Sequence, residues 1–218
     1  MFIGHFAVGF AAKRAAPRTS LGLLMAAPLL LDLIWPVLVL AGLERVEIDP
    51  GNTAFTPLAF VSYPISHSLL TVAGWGLLAS AVYWTATRYR AGAIVLGLAV
   101  ISHWFMDLVV HKPDLPLFPG SDAHAGFGLW NHVAGTMVTE GLIFAAGVWF
   151  YVTGTRAKDR TGKIALWAFI VLLLVLYVAN VVGPPPPSSR VVAFVGLLGA
   201  LFPVWAAWFD RHRSIGQA

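Results

Sequence analysis

Residues 103–111, His-Trp-Phe-Met-Asp-Leu-Val-Val-His, close an apolar run that is long enough to cross a bilayer. On an α-helix, residues four apart lie on the same face, so His103, Asp107 and His111 would form one polar stripe. Burying ionisable groups within a membrane span is costly, and such groups by default mark a functional site. Three of them on one stripe indicate part of a metal site or a proton relay.

The composition is that of a polytopic membrane protein. Of the 218 residues, 58% are hydrophobic and 11% are charged, whereas a soluble domain carries about 25% charged residues. The net charge of +4 comes from basic residues spread along the chain. Nucleic-acid binding requires a clustered basic patch, so we expect no nucleic-acid partner. The absence of cysteine excludes disulfides and thiolate sites and leaves His, Asp and Glu as possible metal ligands.

Six apolar segments come close to the ~20 residues that a helix needs to cross a bilayer. They predict an all-α fold, a polytopic membrane helical bundle of six transmembrane helices. We expect a single integral membrane domain over residues 1–218, with candidate metal-site helices in residues 1–153 and scaffold helices in residues 164–209. The six segments are residues 20–42, 66–86, 91–110, 133–153, 164–183 and 191–209.

A shorter apolar stretch opens the chain. Residues 1–12 are too few to span a bilayer, which takes ~20 residues, and Lys13 and Arg14 follow them. A secretory signal peptide has the opposite order, basic then apolar, so no cleavable signal is predicted. We expect a short N-terminal half-helix that is shielded by other helices or lies at the interface.

The basic residues predict the orientation of the bundle. Eleven of the fourteen Lys and Arg residues fall at one end of the predicted spans, and only Arg45, Lys112 and Arg190 fall at the other. Because Lys and Arg accumulate in cytoplasmic loops, both termini are predicted to be cytoplasmic. The expected location is the bacterial inner membrane.

Helical rise, ~1.5 Å per residue, gives the depth of each polar residue beyond the basic ends of the spans. His103 comes out at roughly 20 Å, Asp32 at roughly 21 Å, Glu140 at roughly 24 Å and Asp107 at roughly 26 Å. These estimates agree within about one helical turn although they come from three different spans. The sequence therefore predicts one polar layer in the outer half of the membrane.

Three further histidines are candidates for this layer. His67 lies at the outer end of the second span, between two serines that could also cap a helix N-terminus. His5 would reach roughly 14 Å if the opening stretch enters as a half-helix. His111 is either a ligand or an interfacial group.

Two interpretations of the layer stay open. His103 and Asp107 could be a buried hydrogen-bonded pair that joins helices, with Glu140 as a lone buried acid. The presence of Asp32 and His67 at similar depth favours a metal site instead. Histidine and carboxylate ligands with open positions suit a divalent metal, with zinc first and manganese or iron as alternatives.

Four short motifs occur in order within roughly the first 110 residues. They are Gly4-His5, Leu29-Leu30-Leu31-Asp32, Ser66-His67-Ser68-Leu69-Leu70 and Ser102-His103-Trp104-Phe105-Met106-Asp107. Together they resemble the bacterial membrane-bound metal-dependent hydrolases, a family distantly similar to zinc-dependent phospholipase C. The resemblance implies that Glu140 takes the part of a late glutamate and that the metal ligands are His5, Asp32, His67, His103 and Asp107.

The resemblance and the polar layer together predict an enzyme, an integral membrane metal-dependent hydrolase acting on a lipid-borne ester or phosphoester. A metal-activated water would attack, with Glu140 or Asp107 as general base. Membrane lipids would be its partners and a lipid its substrate. The alternative is a metal-ion or proton transporter that uses the His/Asp stripe. A third possibility is a degenerate site that only binds a lipid or a partner protein.

Overall fold

The architecture is an all-α polytopic bundle, as the sequence predicts. A computed structural model describes residues 1–216, and six of its helical segments are long and apolar enough to cross a membrane. The helices are α1 (Ile3–Ala15), α2 (Leu21–Leu40), α3 (Pro64–His67), α4 (Leu69–Thr87), α5 (Arg90–Val110), α6 (Val133–Gly154), α7 (Arg160–Val182), α8 (Ser189–Leu197) and α9 (Leu201–Arg211).

Two of the predicted spans are interrupted. The sixth consists of α8 and α9 joined by a 3₁₀ turn at Leu198–Ala200. Pro203 follows in the first turn of α9 and has no N–H to donate to the helix. At the start of the second span, Ser68 is extended, and its hydroxyl accepts a hydrogen bond from the Thr71 N–H to cap α4. His67 therefore ends the separate short helix α3 rather than lying within the span.

Three small antiparallel sheets, which the sequence does not predict, close the ends of the bundle. At one end, called the hairpin end, β1 (Arg45–Ile48) pairs with β2 (Leu58–Ser62), with Val46 opposite Phe60. In the loop after α5, β3 (Leu115–Pro116) pairs with β4 (His124–Ala125). At the opposite end, called the terminal end, β5 (Thr155–Ala157) pairs with β6 (Arg213–Ile215).

The half-helix α1 lies inside the bundle, packed against α2, α5 and α6. Phe6 and Phe10 are fully buried in the core. At Gly147 of α6, an added Cβ would lie 2.5 Å from the carbonyl oxygen of Ala7, so a glycine is what allows the two helices to approach this closely. At ~1.5 Å per residue, α1 is ~20 Å long, and its first turn therefore lies well inside the bundle.

Asp210 joins four helices at the terminal end. Its Oδ2 lies 2.7 Å from Lys13 Nζ of α1 and accepts a hydrogen bond from the Leu21 N–H at the start of α2. Its Oδ1 accepts a hydrogen bond of 2.8 Å from the Tyr151 hydroxyl of α6. Lys13 and Asp210 expose no more than 10% of their side chains, so the pair is largely shielded from water.

We expect Asp210→Ala to lower the stability of the bundle by roughly 3–5 kcal/mol, because the buried Lys13 ammonium would lose its counter-ion. Tyr151→Phe removes one hydrogen bond and should cost only about 1 kcal/mol. Thermal unfolding in detergent, followed by circular dichroism, measures both.

Glu47→Ala is the matched control, because its ion pair with Arg45 is exposed on both sides and such pairs contribute about 0–1 kcal/mol. If Asp210→Ala unfolds at the same temperature as the control, Asp210 does not hold the terminal end together.

Candidate metal centre

Four elements bring the predicted ligands together. The structure places His5 (α1), His103 (α5) and Asp107 (α5) in one group, and Asp32 (α2), His67 (α3) and His103 in another. In each group the possible ligand atoms all lie within 4.8 Å of one another. His103 belongs to both groups, so they form one continuous centre.

The tautomer of His103 follows from its hydrogen bond to the backbone of α2. Its Nδ1 lies 2.7 Å from the carbonyl oxygen of Pro28. A carbonyl only accepts hydrogen bonds, so Nδ1 carries a proton and donates it, and in the neutral ring Nε2 then presents a lone pair. That Nε2 lies 3.2 Å from Nε2 of His67 and 3.0 Å from Oδ2 of Asp107.

The tautomer of His67 also follows from the hydrogen bond at its Nδ1, which is made to the Ser66 hydroxyl. Its Nδ1 lies 2.6 Å from Ser66 Oγ, and that hydroxyl donates its proton to Glu44 Oε2 at 2.6 Å. Because the hydroxyl has one proton, it accepts from His67, whose Nδ1 is then the donor. Two imidazole lone pairs therefore face each other across 3.2 Å, an arrangement that a cation bound between them would stabilise.

His111 is held in the same way by Asp114. Its Nδ1 lies 2.9 Å from Asp114 Oδ1, and the Tyr63 hydroxyl donates to the same oxygen at 3.2 Å. Burial, with the nearby Asp114 carboxylate, raises the pKa of Tyr63 well above its ordinary value, so the hydroxyl keeps its proton. Nε2 of His111 faces Asp107 Oδ2 at 3.8 Å. His111 therefore borders the centre without belonging to either group of three.

The loop after α5 fixes the end of that helix and the extended residue His111 that follows it. The Phe127 N–H donates to the Leu108 carbonyl, and the Gly128 N–H donates to the His111 carbonyl. Gly126 has φ of +154°, and an added Cβ there would lie 2.0 Å from the carbonyl oxygen of Lys112. Only glycine allows this close passage of the loop over the helix C-terminus.

Asp107 is the most heavily engaged group. Its Oδ1 lies 3.1 Å from His5 Nε2 and 2.5 Å from the nitrogen of Met1, while its Oδ2 faces His103. The rings of His5 and His103 stack with centroids 3.8 Å apart. His5 Nδ1 is buried and has no hydrogen-bond partner within residues 1–216. Both oxygens of Asp107 are thus engaged within the protein, and its predicted roles as ligand and as general base stay predictions.

Asp32 is the accessible member of the centre. Its side chain is 45% exposed, whereas those of His67 and His103 are no more than 4% exposed. Asp32 Oδ1 lies 3.7 Å from His67 Nε2 and 3.8 Å from His103 Nε2. A substrate that reaches the centre would therefore meet this carboxylate first.

Glu140 lies outside both groups of three. Its Oε2 accepts hydrogen bonds from the backbone N–H groups of Phe2 and Gly4, at 2.8 and 3.3 Å. A carboxylate at a helix N-terminus is favoured by the helix dipole and by the unpaired N–H groups there. Glu140 is thus placed as a cap for α1, and its predicted roles as ligand and as base stay predictions.

The residues of the centre fit a divalent cation of the zinc, manganese or iron class. The donors are imidazole nitrogens and carboxylate oxygens, which these metals prefer. Hydrogen bonds behind His67 and His103 fix their tautomers, as in many metal sites in proteins. With neutral imidazoles, Asp32 and Asp107 carry two negative charges in an apolar bundle. The Met1 ammonium pairs with Asp107, and a bound cation would offset the charge that remains.

The groups that accept hydrogen bonds from the Nδ1 atoms of the imidazoles were not predicted from the sequence. Pro28 contributes a backbone carbonyl, which has no side-chain signature. Glu44 and Ser66 meet across 22 positions, a contact that no helical spacing predicts. Asp114 follows His111 by three residues, and this short spacing is the feature of the sequence from which their contact could have been predicted.

Comparisons with known proteins give one informative similarity. No family model matches the chain, and no solved structure matches it. The chain is similar to adenosylcobinamide-GDP ribazoletransferase of Deinococcus radiodurans, with 28% identity over 166 residues. The aligned region is 73% of this chain but 57% of that protein, so the chain spans less than two thirds of the relative's length.

This similarity corrects the predicted activity. The relative is a transferase, so the metal-dependent hydrolase hypothesis is wrong, and a transferase argues equally against the transporter alternative. The error has a physical cause: His and Asp ligands indicate a metal, but one metal can activate a phosphoryl group towards water or towards another acceptor. The family resemblance, the presence of a metal and the identity of that metal stay predictions.

The variant Glu140→Gln distinguishes a role of Glu140 as the cap of α1 from a role as a metal ligand. The amide oxygen can still accept from Phe2 and Gly4, so we expect a small loss of stability and unchanged zinc content. Glu140→Ala removes the cap and should cost roughly 2 kcal/mol. Thermal unfolding and elemental mass spectrometry of the purified protein measure the two effects. Loss of zinc from folded Glu140→Gln would instead place Glu140 among the ligands.

Proposed function

We propose that the chain is an integral membrane transferase that moves a phosphate-linked group and uses a divalent metal, zinc first, at its His/Asp centre. The observation that carries this proposal is the pair of Nε2 atoms of His67 and His103, 3.2 Å apart. Each ring donates from Nδ1, so both lone pairs point into the centre. Asp32, Asp107 and His5 complete the ligand set, and His111 borders it.

The similarity to the ribazoletransferase supports the reaction class. The name of that relative includes adenosylcobinamide-GDP, a compound that carries a diphosphate. Divalent cations bind the oxygens of such groups and offset the negative charge that develops during transfer. A substrate with a diphosphate or phosphate-linked group is therefore the class we propose for this chain.

The burial of the centre favours transfer over hydrolysis. Its histidines expose no more than 4% of their side chains, so bulk water has little access, and closed sites protect reactive groups from hydrolysis. In the proposed step, the acceptor hydroxyl oxygen forms a bond to phosphorus while the bond to the leaving phosphate oxygen breaks. The hydroxyl proton passes to the half-exposed carboxylate of Asp32.

We expect detergent-purified wild type, incubated with zinc and then dialysed, to retain the metal in near-stoichiometric amount, as measured by elemental mass spectrometry. His103→Ala should lose it, because both groups of three share this ring. Asp107→Asn should lose most of it, because the carboxylate charge is removed.

His124→Ala is the matched control, because His124 is exposed in the loop after α5, and its zinc content should equal that of wild type. Manganese and iron are tested in the same way. A folded wild type that retains none of the three metals would contradict the proposal.

The transferase itself is tested with the metal-loaded protein. Adenosylcobinamide-GDP and α-ribazole are the first probes, and phosphorus NMR follows the loss of the diphosphate signal. We expect this loss to require the acceptor and to be absent in His103→Ala. Loss of the signal at equal rate without acceptor would contradict a transferase.

We also propose that the protein lies in the bacterial inner membrane with its terminal end in the cytoplasm. The support is the distribution of basic residues, eleven of fourteen at that end. The chain has no cysteine, so single cysteines can report the side without background.

An impermeant thiol reagent added to intact cells should label Asp49→Cys, which lies beside the exposed hairpin end, and spare Ala157→Cys in β5. After lysis both should react, which shows that each cysteine is accessible. The opposite labelling pattern would reverse the orientation.

A further inference from the structure

We propose that Glu44 is a positioning residue that acts through Ser66 to hold His67 in the tautomer whose Nε2 faces the centre. This inference deepens the proposed function. Its predicted effect on metal affinity rests on the metal site proposed above. Glu44 lies outside the candidate centre, in the connection between α2 and β1, and its side chain does not contact His67 directly.

Three donors surround the Glu44 carboxylate. Its Oε1 accepts hydrogen bonds from the backbone N–H groups of Ile65 and Ser66, both at 2.8 Å. Its Oε2 accepts a hydrogen bond from the Ser66 hydroxyl at 2.6 Å. Glu44 is 3% exposed, and burying a carboxylate is costly unless it is fully hydrogen-bonded. The three donors offset that cost and fix the carboxylate in place.

The backbone also holds Glu44 where it is. Its N–H donates to the Leu38 carbonyl near the C-terminus of α2, and Arg45 then begins β1. The carboxylate caps the first turn of α3, the short helix that ends at His67. Glu44 therefore connects the end of α2, which carries Asp32, to the helix that carries His67.

The direction of the hydrogen bonds is what requires a carboxylate. An ionised carboxylate only accepts, so it obliges the Ser66 hydroxyl to donate to it and to accept from His67 Nδ1. A glutamine could still accept from the two N–H groups, but its amide NH₂ would face Ser66 Oγ. The serine would then donate to His67 Nδ1 and move the imidazole proton to Nε2, where it would block metal binding.

The imidazoles of His103 and His111 support this interpretation. Behind His103 lies the Pro28 carbonyl, and behind His111 lies the Asp114 carboxylate. Both are groups that accept from Nδ1. A serine hydroxyl can donate or accept, so of these three rings His67 is the one that needs a further residue to choose the direction. Glu44 supplies that choice.

The experiment compares wild type with Glu44→Gln, Ser66→Ala and the conservative variant Ser66→Thr. Glu47→Gln is the matched control, since it makes the same change at an exposed position in β1. The first readout is ¹⁵N-histidine NMR of the metal-free proteins at a pH where the rings are neutral, which distinguishes the Nδ1–H from the Nε2–H tautomer. The His67 signals are assigned by their loss in His67→Asn. The second readout is zinc affinity by competition with a chelator.

We expect the Nδ1–H tautomer at His67 in wild type, Ser66→Thr and Glu47→Gln, and the Nε2–H tautomer in Glu44→Gln. Zinc affinity should fall about 10–100-fold in Glu44→Gln and Ser66→Ala, the usual effect of removing a group behind a metal-bound imidazole. Unfolding temperatures identify any variant that loses zinc affinity because it does not fold. Glu44→Gln is expected to fold, because its amide oxygen can still accept from the Ile65 and Ser66 N–H groups of α3.

The Nδ1–H tautomer persisting in folded Glu44→Gln would overturn the inference. If wild type fails to bind zinc, manganese and iron but His67 changes tautomer as expected, the proposed function fails and the positioning role of Glu44 stands. If wild type binds zinc and Glu44→Gln binds it equally well, the inference fails and the proposed function stands.

Discussion

The hydrogen bond from His103 Nδ1 to the Pro28 carbonyl joins α5 to α2 and decides what the other nitrogen of the ring can do. In an apolar bundle a buried donor or acceptor is costly to leave unpaired. Acceptors lie behind His67, His103 and His111, on three different parts of the chain. The Nε2 atoms of His67 and His103 consequently face each other across 3.2 Å, and α3 and α5 are held at the spacing that this contact requires.

The half-helix α1 completes the centre from the opposite side. It brings His5 against Asp107 and stacks its ring on His103. Two contacts hold α1 along its length: Glu140 caps its first turn, and the Lys13–Asp210 pair fixes its last turn. The first N–H groups of a helix that begins inside the bundle lie among apolar side chains and need side-chain partners, and Glu140 accepts from two of the N–H groups there. Asp210 acts at the other end of α1, where it pairs with the Lys13 side chain.

The features that the sequence predicts are those encoded locally. Apolar length identified the six spans, and the spacing of four residues identified the stripe on α5, because both depend on one helix alone. Helical rise predicts that Glu140 lies at the depth of the other polar residues, but depth does not fix the direction in which a side chain points around the helix axis, and Glu140 points towards α1. The contact of Glu44 with Ser66 depends on how two loops fold over each other.

The short length of α1 has a consequence for biogenesis. Its 13 residues cannot hold it across a bilayer, and its cap comes from Glu140, 138 positions after Phe2. This segment can therefore reach its place only after α6 has been synthesised and inserted. His5, which α1 carries, can therefore join the other candidate ligands only once α6 is in place.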